Sequence, residues 1–476
     1  MIIGYFSTSQ QITYGKTKNN KIIFLVKPFD NTLPSYLVPY GGKLKGKLII
    51  VFDINGSIIR VIGLMNESNI IITLQYNYNI YRKKLNIDPL HLNILEEQII
   101  RKEIYDRIIF SIDPLECKDV DDALSFDFKN NIYIVSIYIA QPIIWLSEDI
   151  MMNRLHTAFS TLYHKTSNDN IWGDNITINS SLEYNKKRAA YCFEFHYDIN
   201  LKLINKINYP CTIINSIQTS YDKCLNFEPI KELYNFSKKI SDYIINAETL
   251  ISYWMIQTNQ CGQNFNIKLP YRIMKNFLNI DEKIEEINKI ENENIKNIFL
   301  IRHYESAHYS IDDDFNYHHQ LKLYNYTHLT SPIRRSIDCI IHWCITYNIN
   351  CIDLLNKYNI SIDHINKLDK QTKKYHRDIA LLEKINNIFT DNDNILLDGY
   401  IYKKKNNTIT IYLEELGFHK VILWDLKFDY LFDSKKKENI DSILTIGSKW
   451  KFNIYKKNSF LPKDKLYIIP YEFNFI

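Results

Sequence analysis

RIIFSIDPLECKDVDDALSFDFKNNIYIVSIYIAQP, residues 107–142, decides how this chain is read. Ile108, Ile109, Phe110, Ser111 and Ile112 are mostly β-branched or aromatic and read as a strand. Ala123 to Phe128 alternates in polarity, Lys129, Asn130 and Asn131 read as a turn, and Ile132 to Ile139 reads as a buried strand. Between the first two strands stand four aspartates, Asp113, Asp119, Asp121 and Asp122. Ionised carboxylates repel one another, and each resists leaving water. A bound cation resolves that conflict. An all-oxygen set with no Cys or His motif beside it suits Mg²⁺ or Mn²⁺ rather than zinc, and Cys117 alone is not a metal motif. Asp113 closes one strand while Asp121 and Asp122 open the next, so the loop is held at both ends and its side chains can be pre-organised. An EF-hand is excluded: counting from Asp119, its glycine position holds Leu124 and its glutamate position holds Asn130. Taken alone, the stretch also reads as a solvated acidic turn.

A second stretch, YNYTHLTSPIRRSIDCIIH at residues 324–342, bears on that choice. Ser331 or Thr330 can cap a helix whose first residue is Pro332, where a missing N–H costs nothing. Ile333, Ile337, Ile340, Ile341 and Cys344 recur at helical spacing and predict one buried face. Arg334 and Arg335 then fall in the first turn, where the helix dipole disfavours cations unless an anion joins them. A phosphate satisfies the free N–H groups, the dipole and the guanidinium forks together. The plain alternative pairs one arginine with Asp338 and leaves the other in solvent.

Together these segments resemble the RNB family of exoribonucleases, the family of ribonuclease II and the exosome's catalytic subunit. The acidic signature matches at all four aspartates with unbroken spacing. The second matches through Tyr326, Thr327, His328, Thr330, Ser331, Pro332, Ile333, Arg334, Arg335, Asp338 and His342. Weaker echoes lie between them at Arg188, Met255, Asn259, Tyr271, Arg272, Ala307, Tyr309, His318 and Leu321, so the likeness covers about residues 105–385.

The resemblance implies hydrolysis of single-stranded RNA from its 3′ end to nucleoside 5′-monophosphates, by two metal ions bridged by carboxylates. On that basis Asp113, Asp119 and Asp122 are expected to ligate metal directly. Asp121 is expected to position the second metal or the attacking water, and so counts as both catalytic and metal-binding. Arg334 is expected to hold the scissile phosphate, with Arg335 structural or on the neighbouring phosphate and Ser331 beside them as a substrate contact. Tyr163, in STLYHK, falls where the family stacks a tyrosine on the 3′-terminal base; core packing is its rival in a chain with 35 Tyr. Three departures stand out. Tyr138 and Gln141 in IYIAQP replace the family's usual His and Asp, and Ser336 replaces a Tyr after the two arginines. His376, with Asp378 close by, stands where the family often supplies an active-site acid. These departures bear on rate and on end-product size.

The flanks extend the reading. Residues 1–95 hold short apolar runs at Lys21 to Val26, Tyr36 to Val38, Leu48 to Phe52, Ile58 to Ile62 and Ile70 to Leu74, and no helical pattern stands out. A five-stranded barrel is expected there, and VKPFDNTLPSYLVP at residues 26–39 resembles the family's cold-shock-like domain. Residues 395–476 again read as strands, at Gly399 to Tyr402, Thr408 to Leu413, Lys420 to Leu423 and Lys449 to Tyr455, like the family's C-terminal OB-fold. With 14 Lys against nine Asp or Glu, residues 401–476 are locally basic in a chain of net charge +4. Lys403 to Lys405 and Lys435 to Lys437 could track a phosphate backbone, with Tyr402, Phe418 or Trp424 for stacking; solvated loops are the other reading.

The expectation is an α+β fold of three domains: a cold-shock-like OB-fold at 1–95, an RNB catalytic domain at 100–390 and a C-terminal OB-fold at 395–476. The surplus of Ile, Asn, Lys and Tyr over Gly, Ala and Pro suggests an AT-rich coding sequence, so part of the Lys content is compositional. Eight scattered Cys with no paired spacing, no signal peptide and no apolar run near the roughly 20 residues a bilayer needs point to a cytoplasmic protein with free thiols and no membrane segment. A monomer acting on single-stranded RNA is expected. Two rivals remain: an RNB-fold protein that binds RNA with weak or no catalysis, and a metal-dependent phosphodiesterase acting on single-stranded DNA or short oligonucleotides.

Overall fold

The computed structural model describes residues 1–87, 100–115, 117–165, 167–275, 285, 287–303, 306–312, 316–390, 392–405, 408–423 and 445–471. Trp424 and Lys435 to Lys437 lie outside these described residues, as does part of each flanking domain. The described chain forms two compact units, one from Met1–Tyr81, Asn276–Glu305 and Gln371–Ile476, the other from Arg82–Lys275 and Ser306–Lys370.

In the first unit, β1 (Ile2–Ser7), β2 (Ile22–Pro28), β3 (Tyr36–Tyr40), β4 (Lys47–Phe52) and β5 (Ile58–Leu64) form a sheet in the order β3-β2-β1-β4-β5. Both faces are covered, one over Phe6, Phe24, Val38, Leu48 and Phe52, the other over Ile3, Ile49, Val51 and Tyr76. Two expectations change. The run from Ile70 to Leu74 is a helix, Ile70–Asn77, and Ile2–Ser7 supplies the fifth strand. A five-residue apolar run fits either period. Here Ile70, Thr73 and Leu74 are buried at helical spacing, while the slot between β2 and β4 belongs to β1. The C-terminal strands Asn394–Lys405, Thr408–Leu413, Phe418–Leu423, Lys449–Lys456 and Leu466–Pro470 make a second five-stranded sheet among the described residues. Phe460 stacks on Phe29 within the same unit.

The second unit is built on β6 (Lys102–Ile104), β7 (Phe110–Asp113), β8 (Asp122–Lys129), β9 (Ile132–Ala140), β12 (Lys187–Tyr197), β13 (Leu203–Ile214) and β14 (Ile217–Ser220); a small hairpin pairs β10 (Leu162–Tyr163) with β11 (Asn168–Asp169). The sheet runs β14-β7-β8-β9-β12-β13-β6. β8 and β9 turn through Asn130 and Asn131, at φ 54° and 61°, the left-handed pair that closes a two-residue hairpin. Phe110, Leu124, Ile137 and Ile139 pack from one face into a core shared with Trp254, Ile337 and Ile341 of the covering helices. Ala123, Tyr138, Ala190 and Cys192 line the other face with Val120 and Ile333. The architecture is α+β, as expected. No described helix is long and apolar enough to cross a membrane.

Gly173 sits at φ 84° at the start of the helix Asp174–Ser180, and a Cβ there would lie 2.3 Å from the Leu85 carbonyl oxygen. Gly173→Ala should therefore destabilise the fold by about 1–3 kcal/mol, through strain and the close approach. A denaturant midpoint unchanged from the parent would contradict this.

Candidate functional site

The four aspartates sit where β7 ends and β8 begins, and the loop between them is stitched down on several sides. The Ala140 N–H donates to the Asp121 carbonyl and the Leu182 N–H to that of Val120. The Ser181 hydroxyl accepts from the Val120 N–H at 3.0 Å and donates to the Lys118 carbonyl at 3.2 Å. Arg188, an outlying echo in the sequence, donates from Nε to the Ser181 carbonyl at 2.9 Å and so props the residues that prop the loop. Strand pairing sets Asp122 opposite Ile139 and Asp113 beside Ser220 of the parallel strand β14.

The second stretch arrives differently from its prediction. The helix begins at Ser336, not Pro332, and Arg335 is its cap in an extended conformation, φ −125° and ψ 127°. The N–H groups of Arg334 and Arg335 both fold back to the Ser331 carbonyl. Neighbouring backbone makes the difference: the Thr161 N–H donates to the Arg334 carbonyl and the Ser336 N–H to that of Phe159, each at 2.9 Å. These bonds hold Arg335 extended, so neither arginine lies in a first helical turn and the dipole argument does not apply to them. The expected apolar face is present, with Ile333, Ile337, Ile340, Ile341 and Cys344 all buried.

The two stretches meet through one carboxylate. Asp121, 3% exposed, accepts the Ile333 N–H at Oδ1, 2.9 Å, and Arg334 Nε at Oδ2, 2.8 Å. Arg334 keeps nearly half its side chain in solvent, 47%, and its two terminal nitrogens bond to no described residue. Arg335 turns the other way: Nη2 donates to Asp338 at 2.8 Å and Nη1 faces His328 Nδ1 at 3.1 Å. Half of the plain alternative is therefore observed, since one arginine does pair with Asp338. Ser331 is buried and serves through its backbone, its N–H donating to Asp338 Oδ2 at 2.9 Å. The Tyr163 hydroxyl donates to Asp119 Oδ2. Asp113, Asp119, Asp121, Asp122, Arg334 and Tyr163 thus form one group, while Ser331 and Arg335 support it from behind.

Electrostatics in the group follow from crowding. Burial lifts Asp113 to about 6, against hydrogen bonds from Ser111 and Cys117 and with Asp119 adding repulsion. Burial lifts Asp121 to about 7 although Arg334 opposes it, and lifts Asp122 well above its ordinary value, with Asp113 and Asp121 adding repulsion. The Cys117 thiol is pushed up to about 12, chiefly by burial and by Asp113, and so stays a neutral donor. Asp113 Oδ2 is buried with no hydrogen-bond partner. An orphaned carboxylate oxygen among like charges, all of them hard oxygen donors, fits a divalent cation. Among the described residues no three His, Cys, Asp or Glu side chains are gathered closely enough to hold one as they stand. Two of the expected ligands are engaged elsewhere, Asp119 by Tyr163 and Asp121 by Arg334.

Several outlying residues of the motif scaffold the arginine loop. The Asn259 carbonyl oxygen Oδ1 accepts the Leu329 N–H at 2.7 Å, the Tyr309 hydroxyl lies 2.6 Å from His328, and Arg272 pairs with Asp369 at 3.0 Å. Tyr138 is fully buried, its hydroxyl 3.0 Å from Ser125 Oγ. Gln141 is also fully buried, and its two amide atoms have no partner. The Asp378 carboxylate receives the Tyr78 hydroxyl at 2.5 Å and lies 3.2 Å from Lys463 Nζ, all within the first unit. Sequence reasoning passed over two contributors, and it read Ile333 only for its side chain, not for the N–H that Asp121 accepts. The Trp172 indole that donates to the Pro332 carbonyl at 2.8 Å, and Tyr221, which directly follows the partner of Asp113, carry no motif that would reveal them.

Comparison with known proteins adds the family. Residues 101–232 and 237–350, just over half the chain, match the RNB domain family. Ribonuclease R of Ureaplasma parvum is 24% identical over 485 residues, covering 76% of this chain and 65% of its own length. The chain thus spans a little under two thirds of that curated relative. Among solved structures, the apo form of Mycoplasma genitalium RNase R has a TM-score of 0.74 at 16% identity, covering 99% of this chain and 90% of that one. The same enzyme in complex with ribose methylated single-stranded RNA gives 0.72 at 16%, with the same coverage. Yeast Ssd1, a pseudonuclease, gives 0.63 at 15% identity, covering 89% of this chain and 65% of its own.

The raised carboxyl groups have a consequence for stability. Burial holds the protons of Asp113 and Asp122 more tightly in the folded state than in the unfolded, so from roughly pH 4 upward through about 6, where Asp113 titrates, the folded state binds more protons than the unfolded. Stability contributed by these groups is then present below that window and lost as pH rises through it. In chelator, the thermal midpoint should be lower at pH 8 than at pH 5. Asp122→Asn should raise the midpoint at pH 8 in chelator, and Mg²⁺ should raise the parent midpoint more at pH 8 than at pH 5. A midpoint that rises with pH in chelator would contradict the crowding.

Proposed function

The chain belongs to the RNB domain family, and on that premise we propose that it is a metal-dependent 3′-to-5′ exoribonuclease that degrades single-stranded RNA to nucleoside 5′-monophosphates. One observation carries the reading: Asp121 joins the acidic loop to Arg334 and leaves the outer end of the guanidinium open beside the remaining carboxylates. A phosphodiester needs that pairing of a cation for its oxygens with acids for a metal-activated water.

In this reading Arg334 contacts the scissile phosphate. Its Nε bond to Asp121 fixes the plane of the guanidinium, so both terminal nitrogens present together, which a lysine cannot reproduce. Tyr163 stacks on the 3′-terminal base, in keeping with its partly exposed ring and with the sequence tolerance of stacking. Arg335, tied to Asp338 and His328, holds the loop, and Ser331 acts through its backbone. Asp113, Asp119 and Asp122 would hold Mg²⁺ or Mn²⁺, which when bound supplies an activated water and stabilises the departing 3′ oxygen. Metal ligation by Asp119 would replace its bond to Tyr163, while Asp121 would keep Arg334 in place. Contacts to the 2′-hydroxyl would set RNA above DNA. Residues 1–95 and 395–476 are assigned as OB-type RNA-binding domains around a catalytic domain at 100–390, in a cytoplasmic monomer.

A binding protein without turnover is the second reading. The yeast pseudonuclease shares the fold, and Tyr138 and Gln141 depart from the usual family residues. Retention of all four aspartates and Arg334 favours the enzyme.

On 5′-labelled single-stranded RNA with Mg²⁺, the parent should yield a ladder shortening from the 3′ end, abolished by chelation. Asp121→Asn should lower the rate at least about 100-fold while RNA still binds, and Arg334→Lys should lower it about tenfold or more. Intact RNA that nonetheless shifts on a native gel would replace the enzyme with the binding protein. Equal cleavage of DNA would replace it with a general phosphodiesterase.

A further inference from the structure

Arg82 is 6% exposed and lies outside the residues matched to the RNB domain, yet it grips the hairpin that carries Tyr163. Its Nη1 donates to the Ser160 carbonyl at 2.7 Å and its Nη2 to the Asp169 carbonyl at 2.6 Å, with Nε 3.3 Å from Asp169 Oδ2. Ser160 leads into β10 and Asp169 ends β11, where it pairs with Leu162, so one planar fork ties the two strands together at their open end. Arg154, also 6% exposed, locks the arrangement from the helix Glu148–Leu155: Nε donates to the Ile171 carbonyl at 2.7 Å and Nη1 to the Lys83 carbonyl at 2.8 Å. The chain that carries Arg82 and the exit of the hairpin are thereby fastened to the same side chain.

Arg82 pairs with Asp169, and Arg154 lies near enough to feel both the Arg82 charge and that carboxylate. Such a cluster is a poor source of stability, because desolvating the extra charge costs more than one partner returns. What it supplies is geometry. The hairpin base it fixes makes the contacts that set the site: the Thr161 N–H holds the Arg334 carbonyl, Ser160 bridges Arg335, and Tyr163 reaches Asp119.

We propose that Arg82 is a positioning residue of the site, acting through the hairpin to place Tyr163 and the backbone of Arg334 for the terminal nucleotide. The kinetic side of this inference rests on the exoribonuclease reading above; the structural side does not. The test uses the full chain with Arg82→Lys and Arg82→Ala, each alone and combined with Tyr163→Ala, followed by hydrogen exchange and by steady-state hydrolysis of labelled single-stranded RNA. Arg82→Lys should speed amide exchange across residues 159–171 at least about tenfold while leaving β12 and β13 as in the parent. It should raise KM about tenfold with kcat changed less than about threefold, and in the Tyr163→Ala background it should add less than about twofold. Unchanged exchange in the hairpin, or exchange that rises equally throughout the sheet, overturns the proposal. So does a KM effect that multiplies with that of Tyr163→Ala. If no variant and no parent turns over RNA, the exoribonuclease reading falls, and the exchange data alone decide whether Arg82 positions the hairpin.

Discussion

The bond from Arg334 Nε to Asp121 Oδ2, with the Ile333 N–H on the other oxygen, joins residues 213 positions apart in the chain. Asp121 is buried, and burial lifts it to about 7 against the pull of Arg334 and the Ile333 N–H, so losing either partner would leave a buried carboxyl oxygen unsatisfied at a cost of about 1–3 kcal/mol. The rest of the second unit is arranged to keep that contact. One side of it is held by Ser181, Leu182 and Ala140 through the backbone of the acidic loop, the other by Phe159, Thr161 and Trp172 through the backbone of residues 332–336.

The same contact separates the two arginines into different work. Arg334 is anchored at Nε and open at its far end, whereas Arg335 is drawn inward to Asp338 and His328. An anchored guanidinium loses less freedom on meeting an anion than a free one, which is the general advantage of pre-organisation. The carboxylates show the complementary condition. Asp113 has a buried oxygen with no partner, and Asp122 is opposed by Asp113 and Asp121, so the loop stores repulsion that a cation would relieve. Asp119 and Asp121 meanwhile rest on Tyr163 and Arg334. The group is poised between internal pairing and ligand binding at Asp119, whose oxygen serves Tyr163 in place of a cation.

How much of this was legible in the chain depends on the range of the interactions. The strands on either side of the aspartates, the Asn130–Asn131 turn and the apolar face through Ile337 and Ile341 follow from local period and turn chemistry, and the structure has them. Where several local choices were open, the sequence misled. Ile70 to Leu74 reads equally as strand or helix, and burial decided for the helix. Ser331 and Pro332 make a good helix start, but hydrogen bonds from residues 159–161 and 336 outweighed it and moved the start four residues on. No local signal marks Trp172, Tyr221 or Arg82, because their roles consist of contacts to carbonyls and charges brought near only by folding.

By itself, then, the sequence determined the chemistry and the local frame: which acids and bases are present, that the aspartates occupy a loop between strands, and that the signatures are those of an RNB domain. Such things are written in residue type and short-range spacing. Only the tertiary structure decided which arginine faces outward, which oxygens are already engaged, and which side chains from other parts of the chain hold Tyr163 and Arg334 in place. Those outcomes depend on desolvation and on hydrogen bonds between distant segments, whose strength is set by burial that no stretch of sequence carries on its own.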